Sequence, residues 1–366
     1  MNSSRRGSSA DASKNAGTGV GSTDRQDPCA VERLVCRTPA RDWREALPLG
    51  NGSLAALVYG RTAAEVVTFN HERLWGGMNT LPLPDVGDEL PAVRLALGEG
   101  RYGEAENIME RRLEREGYGD AFSGAYMPGP DLLIRSHTKL GYYDYRRTLD
   151  LATGEAVTTW RGGKIPRMRR CFVSEADAMF VYDCGVPKGN AARHDIHLEP
   201  HNLRDTFLNG LVRTAIFPSV AHREFAEGAG IEVDLGNGCR YIAAFRIRGA
   251  ENFVHHDGVV TCDLGSGAVI LCSLQPCDGA HGGDVASLYA ALAAREESYD
   301  ELLARRLAGP RVRGPVQFEL ACTPEERALS NEELLLDAFS GRLPGVLVER
   351  LFHYGRYLLA ASSRPG

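Results

Sequence analysis

The stretch Trp43–Trp75, WREALPLGNGSLAALVYGRTAAEVVTFNHERLW, carries the densest structural information in the chain. Gly50-Asn51-Gly52 tolerate positive φ angles, so they predict a tight reversal between two extended arms. Ser53–Tyr59 is apolar on both faces, which predicts a strand that is covered on both sides. Arg61–Ala64 predicts a turn, and Glu65–Asn70 predicts a returning strand. The stretch therefore indicates consecutive antiparallel strands.

Polar and aromatic side chains gather where the returning strand ends, at Asn70, His71, Glu72 and Trp75. Residues at strand ends and in loops commonly take part in binding. An indole beside such a strand end suits a ligand contact, and it equally suits packing or docking at the edge of a domain. We take these four residues as the candidate binding site and keep both interpretations.

The middle of the chain predicts many more short strands. They are separated by Gly, Asp or Lys turns at spacings of about 8–15 residues, which is typical of a large antiparallel β-sandwich. The predicted strands are Asp131–Ile134, Tyr142–Leu151, Ala156–Trp160, Arg167–Val173, Met179–Cys184, Asp195–His201, Gly230–Leu235, Arg240–Ile247, Asn252–His256, Val259–Asp263 and Ala268–Leu274. One amphipathic helix, from Tyr102 to Leu113, interrupts the strands as a connection folded onto them.

From Asp284 onward the apolar period becomes helical. Pro344 stands where a helix can begin, and an apolar stripe follows it that predicts a core-facing helix surface: Leu347, Leu351, Tyr354, Leu358 and Ala361. We divide the chain into a disordered leader (1–28), a β-sandwich domain (29–283), a helical linker (284–340) and the start of a further helical domain (341–366). A helix without a helical partner of similar size suggests that this last domain is truncated.

Composition narrows the function. The chain has 366 residues, of which 43% are hydrophobic and 25% are charged, and its net charge of −6 argues against nucleic acid or an anionic membrane as partner. Nine cysteines at irregular spacing do not suggest a disulfide framework. The first 28 residues lack the apolar core of a signal peptide, so we expect a cytoplasmic protein, or a secreted one if the start is misassigned. No transmembrane helix is expected.

Two clusters invite a sharper interpretation. His194, His197, Glu199 and His201 resemble a metal site, since alternate residues of a strand share a face; the competing interpretation is the polar face of an edge strand. A catalytic carboxylate pair could involve Glu45, Glu72, Asp85 or Asp88, but surface solvation is the simpler interpretation. We predict no metal site, no cofactor and no catalytic residue in this chain.

Several motifs, in order, resemble the N-terminal part of glycoside hydrolase family 95, which includes α-L-fucosidases. They are PLGNGSLAALVYG, NHERLWGG, GRYGEAENIMERRL, DYRRTLDLATGEA, RRCFVSEADAMFVY, SYDELLARR and LFHYGRYLLAASSRPG. The resemblance implies a β-sandwich, a helical linker and the first helix of an (α/α)6 catalytic barrel. The family's general acid and water-positioning residues lie in the barrel, and none has a match here. Arg295 departs from the family's usual histidine, and NHERLWGG departs from its commoner form.

The resemblance therefore implies a carbohydrate substrate, an L-fucosyl glycan or oligosaccharide or a related L-galactoside, hydrolysed with inversion. It also implies that a barrel, on this or another polypeptide, completes the enzyme and that this chain alone is inactive. In this setting Asn70, His71, Glu72 and Trp75 would lie at the pocket rim or at a domain contact. The alternative is a stand-alone β-sandwich with a carbohydrate-binding or structural role.

Overall fold

The computed structural model describes residues 32–74, 84–118, 127, 129–138, 141–201, 219–236, 239–277, 282–309, 316 and 318–363. Within these residues all paired strands are antiparallel, which confirms the predicted mainly antiparallel β fold. The strands are β1 Arg33–Cys36, β2 Leu47–Gly50, β3 Leu54–Val58, β4 Ala64–His71, β5 Pro130–Ser136, β6 Tyr142–Asp150, β7 Glu155–Gly162, β8 Ile165–Ser174, β9 Met179–Asp183, β10 Ala192–Pro200, β11 Ser219–Phe225, β12 Gly228–Gly236, β13 Cys239–His256 and β14 Val259–Cys277.

The opening stretch folds as its sequence predicts. Gly50 pairs with Ala55 across the Gly50-Asn51-Gly52 reversal, and β3 then pairs with β4. Gly52 adopts a φ of 88°, in the left-handed region that glycine tolerates. One face of β3 is fully buried, whereas Ala55 and Leu57 on the other face are half-buried.

The strands form two layers that share one long hairpin. The order β1-β6-β7-β8-β9 continues into the second half of β14, while β2-β3-β4-β5-β10 reaches its first half. β13 follows β14 through both layers, and its register shifts around Gly249 and again before Val254. Each long strand was predicted as two strands with a break between them. The break is instead a bend, because Gly249 and Gly267 adopt φ angles of 69° and 79° and carry the chain between layers.

The core lies between the layers. Phe69 of β4 meets Phe180 of β9 edge to face, with ring centroids 5.3 Å apart. The sequence does not predict strands β1 and β11. Strand β1 is short, and the side chains of β11 from Ser219 to Glu224 are exposed. Neither therefore shows the alternation that reveals a half-buried strand.

The helices fall into three groups. They are α1 Leu90–Gly98 and α2 Tyr102–Arg115; α3 Val285–Ala293 and α4 Tyr299–Ala308; and α5 Pro324–Arg327, α6 Asn331–Phe339 and α7 Gly345–Ala361. Helices α1 and α2 bury one alanine each, Ala96 and Ala105, and Tyr102 of the predicted apolar stripe is 70% exposed. Helices α3 and α4 cover the outer face of β8, β9, β13 and β14. None of the described helices is long and apolar enough to cross a membrane.

Helix α7 begins directly after Pro344, as predicted, and closes the sandwich where edge strands β1 and β2 lie. The Tyr357 ring enters the main core, and its hydroxyl donates to the Pro48 carbonyl at 2.9 Å. The predicted apolar stripe is wrong in part, since Leu347 is buried but Leu351 is 58% exposed. The buried face is largely polar, because Glu349 and other charged side chains there bind the segment that precedes the helix.

Candidate functional site

The candidate site lies at the end of β4, where five parts of the chain converge. A groove of about 410 Å³ opens there, lined by His71, Glu72 and Arg73. Its other walls are the start of β3, the turn between β8 and β9, the end of β14 and helix α3. The remaining lining residues are Ser53, Asp177, Ala178, Met179, Ser273, Leu274, Gln275, Pro276, Leu288, Ala291, Leu292 and Arg295. The volume lies within the range of small-molecule sites.

Backbone and side-chain hydrogen bonds hold the β4 exit in one shape. The His71 Nδ1 accepts from the backbone N–H of Arg73 at 3.2 Å, which leaves the ring proton on Nε2 when the imidazole is neutral. The Ser53 hydroxyl donates to Glu72 Oε1 at 3.1 Å, and the Glu72 N–H donates to the Ser53 carbonyl at 3.0 Å. The start of β3 therefore fixes the groove carboxylate.

Of the four predicted site residues, two line the groove, one does not, and one lies outside the described residues. His71 and Glu72 line the groove, as a binding role requires. The Asn70 side chain instead accepts from the backbone N–H of His71 at 2.8 Å and is absent from the groove lining. Trp75 lies outside the described residues.

Sequence reasoning missed the ion pairs that hold the opposite wall of the groove. Asp177, whose side chain is 3% exposed, forms an ion pair with Arg295 at 3.1 Å and accepts a hydrogen bond from Arg305 at 2.9 Å. The hydrogen bond from Arg305 also lowers the pKa of Glu297. Asp177 and these arginines are more than 110 residues apart, so no local motif joins them, and only tertiary structure brings them together.

The same end of the molecule ties the opening hairpin to the rest of the chain. The Asn51 amide donates to the Ser174 carbonyl at 2.9 Å, and the Ser174 hydroxyl donates to Asp177 at 2.9 Å. The Gly52 N–H donates to the Ala361 carbonyl at the end of α7, at 2.8 Å. The hairpin, the linker helices and α7 therefore meet beside the groove.

The metal-like cluster His194, His197, Glu199 and His201 does not assemble in the structure. His201 Nδ1 is 3.0 Å from Asp131, and His197 Nε2 is 3.6 Å from Glu199. His194 turns toward the Ala192 carbonyl instead. Among the described residues no three His, Cys, Asp or Glu side chains come together as metal ligands.

The proposed carboxylate pair is not assembled either. Glu45 bonds the Arg41 side chain at 2.8 Å, and Asp88 lies 3.6 Å from Arg112 on helix α2. Glu72 accepts from Ser53 and Asp85 accepts from the backbone N–H of Gly87, so each of the four has a local partner. Burial-driven pKa shifts, which mark many catalytic carboxylates, occur elsewhere, as at Glu65.

Comparison with known proteins places the site in context. The model of the N-terminal domain of glycosyl hydrolase family 65 matches residues 34–211. Alpha-L-fucosidase 2 of Arabidopsis thaliana is 26% identical over 378 aligned positions, which cover 94% of this chain and 43% of that protein. The matches relate this chain to glycoside hydrolases. Family 95 in particular stays a prediction.

Two further matches are shorter or weaker. A probable alpha-fucosidase A of Aspergillus oryzae (strain ATCC 42149 / RIB 40) is 30% identical over 146 residues, or 37% of this chain and 19% of that protein. Among solved structures, a putative kojibiose phosphorylase from human microbiome aligns over 76% of this chain and 37% of its own, with 11% identity and a TM-score of 0.44. The chain spans less than half the length of either curated relative.

Proposed function

We propose that this chain is the N-terminal portion of a family 95-like glycoside hydrolase that acts on α-L-fucosides or a related L-sugar with inversion. The observation that supports this most is the match to alpha-L-fucosidase 2, because it covers 94% of the chain and so includes both the sandwich and the helices. The ordered motifs of the sequence support the same assignment.

We place the catalytic residues outside this chain. An inverting glycosidase needs an acid and a base about 6.5–9.5 Å apart on opposite faces of the scissile bond. The carboxylates that the sequence nominates each have a local partner, which supports this placement: Glu45 bonds Arg41, Asp88 lies 3.6 Å from Arg112, Glu72 bonds Ser53 and Asp85 accepts from the Gly87 N–H. More than half of the fucosidase relative lies beyond the matched portion, which leaves room for that chemistry.

The surface of α6 and α7 supports a contact with a further helical region. Several large apolar side chains there are between 45% and 86% exposed: Leu335, Leu336, Phe339, Leu343, Leu351 and Leu359. Four of them, Leu335, Leu336, Phe339 and Leu351, line an apolar groove of about 770 Å³ between these helices and the β1–β2 edge. Apolar surface this extensive is typical of an interface. We propose that the catalytic region, on this or another polypeptide, covers it.

One observation favours the alternative of a stand-alone sandwich. Helix α7 inserts Tyr357 into the main core and covers the open edge of the sandwich. The described part therefore has a closed core of its own. A non-catalytic carbohydrate-binding role would need no further domain.

A turnover assay tests the proposal. The purified chain, given an aryl α-L-fucoside or an aryl α-L-galactoside, should release no phenol, whereas release would contradict the placement of the catalytic residues. The coding sequence that follows the Gly366 codon should encode a helical polypeptide which, expressed with this chain, hydrolyses the fucoside. An unrelated gene there, with no complementing partner, would favour the stand-alone alternative.

A further inference from the structure

Two adjacent side chains of opposite charge line the groove at the β4 exit. Glu72 is held by the Ser53 hydroxyl, and the Arg73 Nη2 donates to the Pro276 carbonyl at 3.0 Å. Among the described residues, that carbonyl is the partner of the Arg73 guanidinium. It fixes one edge of the guanidinium against β14.

The groups in this groove match the bonding capacity of sugar hydroxyls. An ionised carboxylate only accepts hydrogen bonds and a guanidinium only donates them, whereas a hydroxyl does both. Neighbouring hydroxyls of one ring can therefore satisfy Glu72 and Arg73 together. An anionic ligand would be attracted by Arg73 and repelled by Glu72, so the pair favours a neutral ligand.

The other lining residues add an apolar surface and further hydrogen-bonding groups. The half-buried Leu288 provides apolar contact for the C–H face of a ring, in front of the buried Leu274 and Leu292, and Ser273 and Gln275 also line the groove. Both polar side chains are anchored, since Ser273 donates to the Ala178 carbonyl at 3.0 Å and Gln275 donates to the Gly282 carbonyl at 3.2 Å. A site whose groups are fixed before binding loses less entropy on binding.

We propose that this groove is a non-catalytic binding subsite for a neutral sugar residue. It is formed by the sandwich and helix α3, so this chain contains it without any other domain. The proposal deepens the proposed function, on which its choice of ligand rests. Glu72 and Arg73 contact the sugar, while Ser53 and Asp177 position the two walls.

Binding to the purified chain tests the subsite. In a titration with 2′-fucosyllactose followed by NMR, the wild-type chain should give saturable shifts at residues of the groove. Arg73→Met and Glu72→Leu should each weaken binding at least tenfold, because each leaves sugar hydroxyls without a partner. Arg111→Met is the matched control, since Arg111 is an exposed arginine that also bonds a backbone carbonyl, that of Asn107 at 3.1 Å. It should bind as the wild type does.

Several results would overturn the subsite. They are wild-type affinity in both groove variants with the fold intact, shifts confined to other surfaces, or tighter binding of a digalacturonate than of the neutral oligosaccharide. The outcome separates from that of the proposed function. Equal binding of neutral sugars that lack fucose would uphold the subsite and count against the fucoside. Fucoside turnover by a longer polypeptide whose groove does not bind sugar would remove the subsite alone.

Discussion

The two ends of strand β4 place charged side chains in opposite surroundings. Glu65 and His71 are six residues apart, or about 20 Å along a strand. At the first end the Glu65 side chain is 1% exposed and lies 3.7 Å from the guanidinium of Arg169, which is also buried. At the other end Glu72 and Arg73 line an open groove.

The difference lies in which partners the polar groups have. Glu65 accepts from the backbone N–H of Arg61 and of Val66, both at 3.1 Å, and Arg169 donates to the Arg61 and Thr62 carbonyls. These groups are satisfied by the protein, so we assign them to stability. At the groove end Glu72 accepts from the Ser53 hydroxyl and is exposed to solvent. Burial among protein partners, more than residue type, distinguishes the Glu65–Arg169 cluster from the candidate site.

Breaking the buried end should give the largest effect. Arg169→Met leaves Glu65 buried without its cation, and loss of one member of a buried pair costs about 3–5 kcal/mol. Burial raises the Glu65 pKa even with Arg169 attracting the charged form, so a carboxylate without Arg169 would bind its proton more tightly still. A carboxyl whose pKa is higher in the folded chain than in the unfolded chain stabilises the folded chain at low pH, where it is protonated. This contribution is lost as the pH rises through the folded-state pKa.

The cost of Arg169→Met in urea unfolding should therefore be greater at pH 8 than at pH 5. Arg161→Met is the matched control, because Arg161 is an exposed arginine on the neighbouring strand. It should change the free energy of unfolding by less than about 0.5 kcal/mol. Equal small effects of both substitutions would contradict the structural assignment of this end.

Acid should destabilise the same end through His194. Burial lowers the His194 pKa to about 4, whereas an unfolded histidine has a pKa near 6.5. Between these values the unfolded chain binds a proton that the folded chain does not. The His194 contribution is complete above pH 6.5 and falls toward pH 4, by on the order of 3 kcal/mol at most. His194→Asn should flatten this part of the stability profile.

His256→Asn serves as the control, since the His256 side chain is 86% exposed. Its stability profile should follow that of the wild type. A His194 variant with an unchanged slope between pH 4 and 6.5 would show that His194 is accessible to protons in the folded state.

The contact between the opening hairpin and α7 should be weaker than the buried cluster. A Cβ added at Gly50 would lie 2.5 Å from the Ala361 carbonyl oxygen, so Gly50→Ala must displace the end of α7. Such overpacking costs about 1–3 kcal/mol. Hydrogen exchange should show faster opening of α7 in this variant.

Gly103→Ala is the control for that substitution, because a Cβ at Gly103 in helix α2 meets nothing within 4 Å. It should stabilise the chain slightly, since alanine favours a helix by about 0.5–1 kcal/mol over glycine. Unchanged exchange in α7 of the Gly50 variant would refute the contact.

The groove end should respond least in stability. Glu72 is exposed and bonds Ser53, so Glu72→Gln keeps a side chain that can accept from this hydroxyl. The free energy of unfolding should stay within about 0.5 kcal/mol of wild type. A decrease of more than about 2 kcal/mol in the free energy of unfolding, measured in urea, would show that Glu72 stabilises the fold.

Much of this architecture follows from local sequence pattern. The hairpin around Gly50-Asn51-Gly52 and most strands were predicted within a few residues. The shared hairpin of β13 and β14 was not, because the glycines that bend a strand look like those that end one. Helix α7 shows a second limit. Its buried face carries Glu349, Arg350 and His353, which apolar periodicity cannot select.

Only one wall of the candidate site, the wall at the end of β4, could be predicted from the sequence. The polar exit of β4 indicates His71 and Glu72, which line the groove. Nothing local indicates that Asp177 and Arg295 form its other wall, because their meeting depends on how helix α3 packs on the sandwich. Arg73 stands next to Glu72 in sequence, but its role depends on the Pro276 carbonyl of a distant strand.

The most direct test of the account is where a neutral sugar binds on the chain. Titration with 2′-fucosyllactose should shift the NMR resonances of Ser53, Glu72, Arg73 and Ser273 and leave those around Glu65 and Arg169 unchanged. Shifts around the buried cluster, or none at the groove with a folded chain, would contradict the assignment of the β4 exit as the binding end.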